Sequence, residues 1–230
     1  MEIRGIQKVS LVDFPGNICI TIFTGGCNMR CPYCHNRDLV LGAGSLPRIP
    51  QEEMLALLES RRGLVDGVCI TGGEPTLQEG LGEFAGKIKD LGFKVKLDTN
   101  GTNPRILDEL LSQGLLDYVA MDIKAPRDKY WEVARSRVNM SDIDASIRLI
   151  RSSEIDYEFR TTVAPGLITG EDLIEIGQWL LGAGKYVLQQ YVPGPTLDEA
   201  FADRRPYSGD WLENMARKLR PFFERVEVRK

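Results

Sequence analysis

The sequence predicts an α/β fold: a partial (β/α)6 barrel of mostly parallel strands with an N-terminal β-hairpin. Two observations predict it. Short β-branched, apolar runs alternate with amphipathic stretches of helical period along most of the 230 residues, and such alternation builds right-handed βαβ units and a mostly parallel sheet. Six units fall short of the eight of a closed barrel, which typically takes about 250 residues, so the barrel is expected to stay open. Neither a linker nor an internal repeat interrupts the pattern, and residues 1–230 read as one domain.

The hairpin comes first: Ile3–Val12, the turn Asp13-Phe14-Pro15-Gly16, and a buried strand over Asn17–Thr24. Gly25–Gly44, rich in glycine, cysteine and proline, reads as loop. A helix opens at Ile49-Pro50-Gln51-Glu52-Glu53 and runs to about Arg62, with proline and two acids where a first turn favours them. Strands over Asp66–Thr71, Phe93–Asp98, Tyr118–Ile123, Tyr157–Val163, Tyr186–Tyr191 and Phe222–Val228 then alternate with helices. The helices are Gln78–Leu91, Pro104–Gln113, Ser141–Ser152, Gly170–Leu181 and Tyr207–Leu219. Ser141 is the expected N-cap of its helix, because a serine hydroxyl accepts from otherwise unpaired first-turn amides.

Composition excludes several function classes. The chain is 43% hydrophobic and 27% charged with a net charge of −4, ordinary for a globular protein and unlike disordered or fibrous ones. Slight negative charge gives no basic surface for nucleic acid to engage by counterion release. No apolar run reaches the roughly 20 residues of a membrane span. The N-terminal MEIRGIQKVSLVDFPG lacks the basic-then-apolar order of a secretory signal, so a cytoplasmic protein is expected.

Five cysteines and one histidine stand out, and Cys27, Cys31 and Cys34 fall in a C-x3-C-x2-C loop. An odd cysteine count in a cytosolic chain favours metal or redox chemistry over a disulfide scaffold. Three thiolates on one loop suit zinc, a disulfide pair or an iron–sulfur cluster. Structural zinc wants four ligands, and His35, adjacent to Cys34, does not easily close the same tetrahedron. The spacing therefore favours a 4Fe–4S cluster with one iron free of protein ligands. Cys19 and Cys69 lie within predicted strands and read as small core residues.

Parallel α/β folds bind ligands at the carboxyl ends of their strands. Here those ends are polar: Thr24-Gly25-Gly26-Cys27, Thr71-Gly72-Gly73-Glu74-Pro75, Asp98-Thr99-Asn100-Gly101, Asp122-Ile123-Lys124, Arg160-Thr161-Thr162 and Gln189-Gln190-Tyr191. Turn chemistry explains glycine, aspartate and asparagine at such places. It does not readily explain Glu74, Lys124 and Arg160 on one rim, which points to a shared site. Against that stand ion pairs at i,i+2 on one strand face, Asp122 with Lys124 and Glu158 with Arg160.

The cysteine loop after the first strand, with Tyr33 before its third cysteine, resembles the signature of radical S-adenosylmethionine (SAM) enzymes, and so does the Gly72-Gly73-Glu74 turn. Gly5–Gly16, Leu97–Gly101 and Val119–Lys124 resemble the activating enzymes of glycyl-radical proteins. Tyr157–Val163 and Val187–Tyr191 are similar to the activators of anaerobic ribonucleoside-triphosphate reductase.

The resemblance implies that Cys27, Cys31 and Cys34 hold a 4Fe–4S cluster whose open iron takes the amino and carboxylate groups of SAM. It sets Tyr33 against the adenine, and Gly72, Gly73 and Glu74 near the SAM ammonium. It places a monovalent cation among Asp98, Thr99, Ala120 and Asp122. Lys124 and Arg160 have the charge for the SAM carboxylate or ribose. His35 is expected either to bond the cluster or SAM or to be solvated, and Gln189 and Gln190 alternate faces, so at most one faces the interior. Only Cys69 lies between the loop and the Gly-Gly-Glu turn, so a single cluster is expected. The implied partners are a glycyl-radical enzyme, anaerobic ribonucleotide reductase, as protein substrate, and a flavodoxin or ferredoxin-type reductant. Three alternatives stay open: an activase of pyruvate formate-lyase type, a small-molecule enzyme such as 7-carboxy-7-deazaguanine synthase, and a non-catalytic iron–sulfur or zinc protein.

Overall fold

A computed structural model describes residues 1–230. Eight strands form one sheet in chain order: β1 (Ile3–Ser10), β2 (Cys19–Thr24), β3 (Gly67–Gly72), β4 (Lys94–Thr99), β5 (Tyr118–Asp122), β6 (Asp156–Val163), β7 (Ala183–Gln190) and β8 (Phe223–Arg229). β1 pairs antiparallel with β2 and every later pair is parallel. β8 does not pair with β1, so the barrel is open along that side, as the unit count requires.

Helices α1 (Arg37–Leu41) and α2 (Gln51–Ser60) cross from β2 to β3, α3 (Leu81–Asp90) from β3 to β4, and α4 (Pro104–Ser112) from β4 to β5. α5 (Tyr130–Ala134) and α6 (Met140–Ser152) lead to β6, α7 (Gly170–Trp179) to β7 and α8 (Gly209–Leu219) to β8. The two short helices were not legible in the sequence. α1 lies within the stretch read as loop, and α5 has no room for a repeating apolar stripe. Asn139, not Ser141, caps α6, its side chain accepting from the Ser141 amide at 3.2 Å. The helix expected from Gln78 starts at Leu81, because Gly80 turns left-handed at φ 76° just before it.

The period-2 alternation along each strand divides the residues between two environments. One set, including Ile20, Ile22, Val68, Ile70, Val95, Leu97, Val119 and Phe159, packs with helix residues such as Leu58, Phe84, Leu107 and Ile143 in the main core. The other set faces the lumen. At its base Phe14 folds in from the hairpin turn and packs with Cys19, Cys69, Tyr118 and Ala120, its ring tilted on Tyr118 at 6.0 Å. Both lone cysteines are fully buried there, as expected for core residues.

The rest of the lumen is charged. Glu158 is fully buried on β6 and accepts from Arg229 at 2.8 and 2.9 Å and from the Tyr118 hydroxyl at 2.9 Å, with Lys185 at 3.3 Å. The Glu158–Arg160 pair weighed from sequence does not form, because Arg160 turns towards β4 and β5 instead.

Burial opposes the Glu158 charge, yet the Arg229 hydrogen bonds and charge hold its carboxyl down at about 2, against an ordinary 4.5. A depressed carboxyl stabilises the fold above its unfolded pKa, and that contribution fades as pH falls from about 4.5 towards 2, on the order of 3 kcal/mol in all. Urea unfolding across that window is expected to show a flatter pH dependence for Glu158→Gln than for the native chain, with lower stability at pH 7. Parallel profiles would refute the assignment.

Candidate active site

The loops leaving the carboxyl ends of β2 to β6 enclose a cleft of about 670 Å³, mouth included. Its walls bring together the cysteine loop (Cys27, Cys31, Tyr33, Cys34), the turn Gly72-Gly73-Glu74, and Asp98, Thr99, Asp122, Lys124 and Arg160. Twelve residues chosen from five separate chain segments thus share one cavity, because a parallel sheet delivers all its strand ends to the same rim.

Local hydrogen bonds shape the cysteine loop. The Arg30 guanidinium donates to the Cys27 and Met29 carbonyls at 2.6 and 2.8 Å, and the Cys34 amide closes a turn on Cys31 at 3.1 Å. Burial pushes all three thiols up, Cys31 to about 11, so without a partner they are neutral. No three His, Cys, Asp or Glu side chains converge tightly enough to hold a single metal ion. A cluster that offers a different iron to each thiolate needs a wider triangle, so the three thiols around one cavity fit that group.

The Gly-Gly-Glu turn has a packing reason beside any ligand role. A Cβ on Gly73 would fall 1.8 Å from the Gly26 carbonyl oxygen, and one on Gly72 would fall 2.4 Å from the Thr24 amide. The turn and the cysteine loop therefore touch backbone to backbone, and the Glu74 amide bonds Gly26 O at 2.8 Å. Asn36 donates to the Gly72 carbonyl at 2.8 Å. The Glu74 carboxylate, at the cleft wall, is taken up by neighbours within the fold. It is 1% exposed and accepts from the Thr76 amide and hydroxyl, the Thr99 hydroxyl and the Asn100 amide. Burial raises its pKa against those bonds, and its geometry is that of a pin between the β3 and β4 ends.

The far wall is an ion network. Lys96 and Arg160 take the two oxygens of Asp98, and Arg160 (2.6 Å) and Lys124 (2.9 Å) take those of Asp122. All four carboxylate oxygens thus already have a cationic donor. Burial opposes the Asp98 and Asp122 charges, yet Arg160 with Lys96 or Lys124 holds both below the usual range. The set expected around a monovalent cation does not fit one as placed: Arg160 lies between the aspartates, Thr99 turns to Glu74, and Ala120 is packed in the lumen base. Three cations against two carboxylates leave one net positive charge, which suits a ligand carboxylate.

Tyr33 is 5% exposed and its hydroxyl is buried with no partner. A cleft wall with an unsatisfied buried hydroxyl is incomplete, since buried polar groups are normally paired. His35 does not face the cleft: it is exposed, as the solvated reading expects, with its Nε2 donating to the Val192 carbonyl at 2.8 Å and its ring stacked on Tyr191. Gln190 bonds the Tyr207 carbonyl at 3.0 Å, and neither Gln189 nor Gln190 reaches this cleft. Sequence reading missed Lys96 and gave no individual role to Asn100, named there only within the polar rim, whose side chain bonds Asn28 at 2.9 Å and approaches the Cys27 sulfur. The alternating KVKLDT of β4 was the available signal for Lys96.

Gly73→Ala is expected to lower stability by about 3 kcal/mol, the upper range for overpacking, because backbone rather than a movable side chain occupies the space. Urea midpoints would measure it, and a loss below about 1 kcal/mol would show that the two loops can part.

A family model described as the radical SAM superfamily matches residues 21–180. A Methanocaldococcus jannaschii protein, provisionally named glycyl-radical enzyme activating enzyme MJ1227, is 32% identical over 99% of this chain and 95% of its own length. Pyruvate formate-lyase 1-activating enzyme of Escherichia coli K12 is 30% identical over 74% of this chain and 71% of its own. Among solved structures, Streptococcus suis SuiB bound to S-adenosylmethionine superposes with a TM-score of 0.68 over 90% of this chain at 14% identity. That likeness is one of fold, and this chain spans 49% of SuiB.

Proposed function

The chain belongs to the radical SAM superfamily and to its glycyl-radical enzyme activating group, and from that premise we propose that it installs a glycyl radical on an anaerobic (class III) ribonucleoside-triphosphate reductase. Membership implies a 4Fe–4S cluster, SAM and a glycyl-radical protein as substrate. The observation that carries the reading is the meeting of three thiols and a net positive ion network in one cleft. The choice of reductase rests on the likeness of Tyr157–Val163 and Val187–Tyr191 to that group of activators.

In this reading Cys27, Cys31 and Cys34 hold the cluster. Cluster and SAM together supply reductive cleavage of the sulfonium C5′–S bond, giving methionine and a 5′-deoxyadenosyl radical that takes hydrogen from a backbone glycine of the partner. The chain binds and orients. Lys124 and Arg160 meet the SAM carboxylate, held in place by Asp122 and Asp98. Gly72 and Gly73 bring bare backbone to the ammonium, and the Tyr33 hydroxyl gains the partner it lacks. Arg160 supplies the charge that resemblance gives to a monovalent cation. Electrons come from a flavodoxin or ferredoxin-type donor in the cytoplasm, with residues 1–230 acting as one radical SAM domain. No helix is long and apolar enough to cross a membrane. A second reading, a target of pyruvate formate-lyase type, is favoured by the Escherichia coli relative.

Anaerobic reconstitution is expected to load one cluster, about four irons per chain. With dithionite and SAM the loaded protein should then release 5′-deoxyadenosine, and Cys27→Ala should abolish it. Adding the reductase should give a glycyl-radical EPR doublet. Product without that signal, but with one on a pyruvate formate-lyase, would move the proposal to the second reading. No product from the native chain would end both.

A further inference from the structure

Arg135 is the one non-glycine residue of the chain with a positive φ, at 45°. It follows the last residue of α5 in the left-handed conformation that glycine normally fills at a helix end. For an L-residue that backbone costs about 1–2 kcal/mol, and such a residue persists where surrounding structure demands it. Its side chain shows what the demand is. The guanidinium lies 2.7 Å from the Asp198 carboxylate, in the segment between β7 and α8.

Both ends of that ion pair stand on segments that hold the cysteine loop. On the α5 side, the Arg30 amide donates to the Ala134 carbonyl at 2.8 Å, and the Ser136 hydroxyl donates to the Asn28 carbonyl at 2.5 Å. On the other side, the Leu197 amide donates to the Cys34 carbonyl and the Asp198 amide to the Pro32 carbonyl, each at 2.9 Å. The His35 bond to Val192 continues the second set. One strap grips the first half of the loop and the other grips the second half. Arg135 to Asp198 joins the straps, so cysteine loop, α5 end and β7–α8 segment form a closed ring.

We infer that Arg135 and Asp198 are positioning residues that lock the cysteine loop around its cluster, and that the left-handed backbone at Arg135 is retained for this clasp rather than for stability. The inference rests on the cluster-binding reading of Cys27, Cys31 and Cys34. An exposed ion pair by itself contributes little to folding. Its effect here is on the opening of the loop, since cluster loss requires the loop to separate from at least one strap.

This gives two signs that a purely structural role does not produce together. Arg135→Gly relieves the backbone and removes the clasp. The apo protein should melt at the same temperature as the native chain or a few degrees higher, while the reconstituted protein loses its visible cluster absorbance several-fold faster under anaerobic chelator challenge. Asp198→Asn, which keeps the side-chain oxygen that caps Ala200 at 3.0 Å, should speed loss similarly. The exchanged pair Arg135→Asp with Asp198→Arg should retain the cluster longer than Asp198→Arg alone, which loses the same Ala200 cap. Arg135→Gly retaining the cluster as long as the native chain would overturn the clasp while leaving the cluster reading intact. A native chain that takes up no iron would overturn both.

Discussion

Arg160 reaches from β6 across the lumen to carboxylates on β4 and β5, and the geometry of the cleft depends on that reach. The Asp122 and Asp98 side chains stand on strand ends that parallel pairing places side by side. Two buried carboxylates so close would repel and one would take a proton. With Arg160 between them, and Lys96 and Lys124 outside, both stay ionised and every oxygen is directed. Four side chains from three strands, with Lys124 just past the end of β5, are thereby held in one orientation before any ligand arrives, which is what a site must have if binding is not to be spent on ordering it.

The near wall is ordered by a different means. Side chains cannot bring two loops as close as Gly26 and Gly73 come, so glycine is required there by contact. Glu74 then fixes the same turn to the end of β4 through Thr99 and Asn100. Backbone contact sets one wall and ion pairing the other. The thiols sit between them on a loop whose outward carbonyls are taken by two further segments. Nothing in the cleft is held by a single element, so its shape is a property of the whole rim.

Much of this was legible in the sequence because βαβ alternation leaves one kind of sheet, and because three clustered cysteines beside Lys124 and Arg160 at the same strand ends exceed what turn chemistry requires. What was not legible shows where local reading stops. Glu74 looked like a charge for a ligand, since its four donors come from residues two and about twenty-five positions away. Lys96 carried no reading from sequence, and it pairs with Asp98 because the curl of the sheet turns that face of β4 inward. His35 was read between ligand and solvent, and its partner on Val192 lies 157 residues away. In each case the partner was set by topology.

The lumen carries a cost that explains why its charges occur as a set. Taking an ion out of water costs several kcal/mol even after relaxation, and breaking a buried pair strands the survivor at a penalty of about 3–5 kcal/mol. Asp98 illustrates this: without it Lys96 loses its carboxylate, leaving Cys69 at 3.7 Å, and Arg160 keeps only Asp122. An apolar lumen would fold with fewer such liabilities, as the Phe14, Tyr118 and Ala120 base of this one does. The charged layer starts against that base, where Glu158 accepts from Tyr118, and continues up to the cleft, so buried charge extends below the residues that line it. Arg160 joins the two parts, pairing both buried aspartates while lining the cleft.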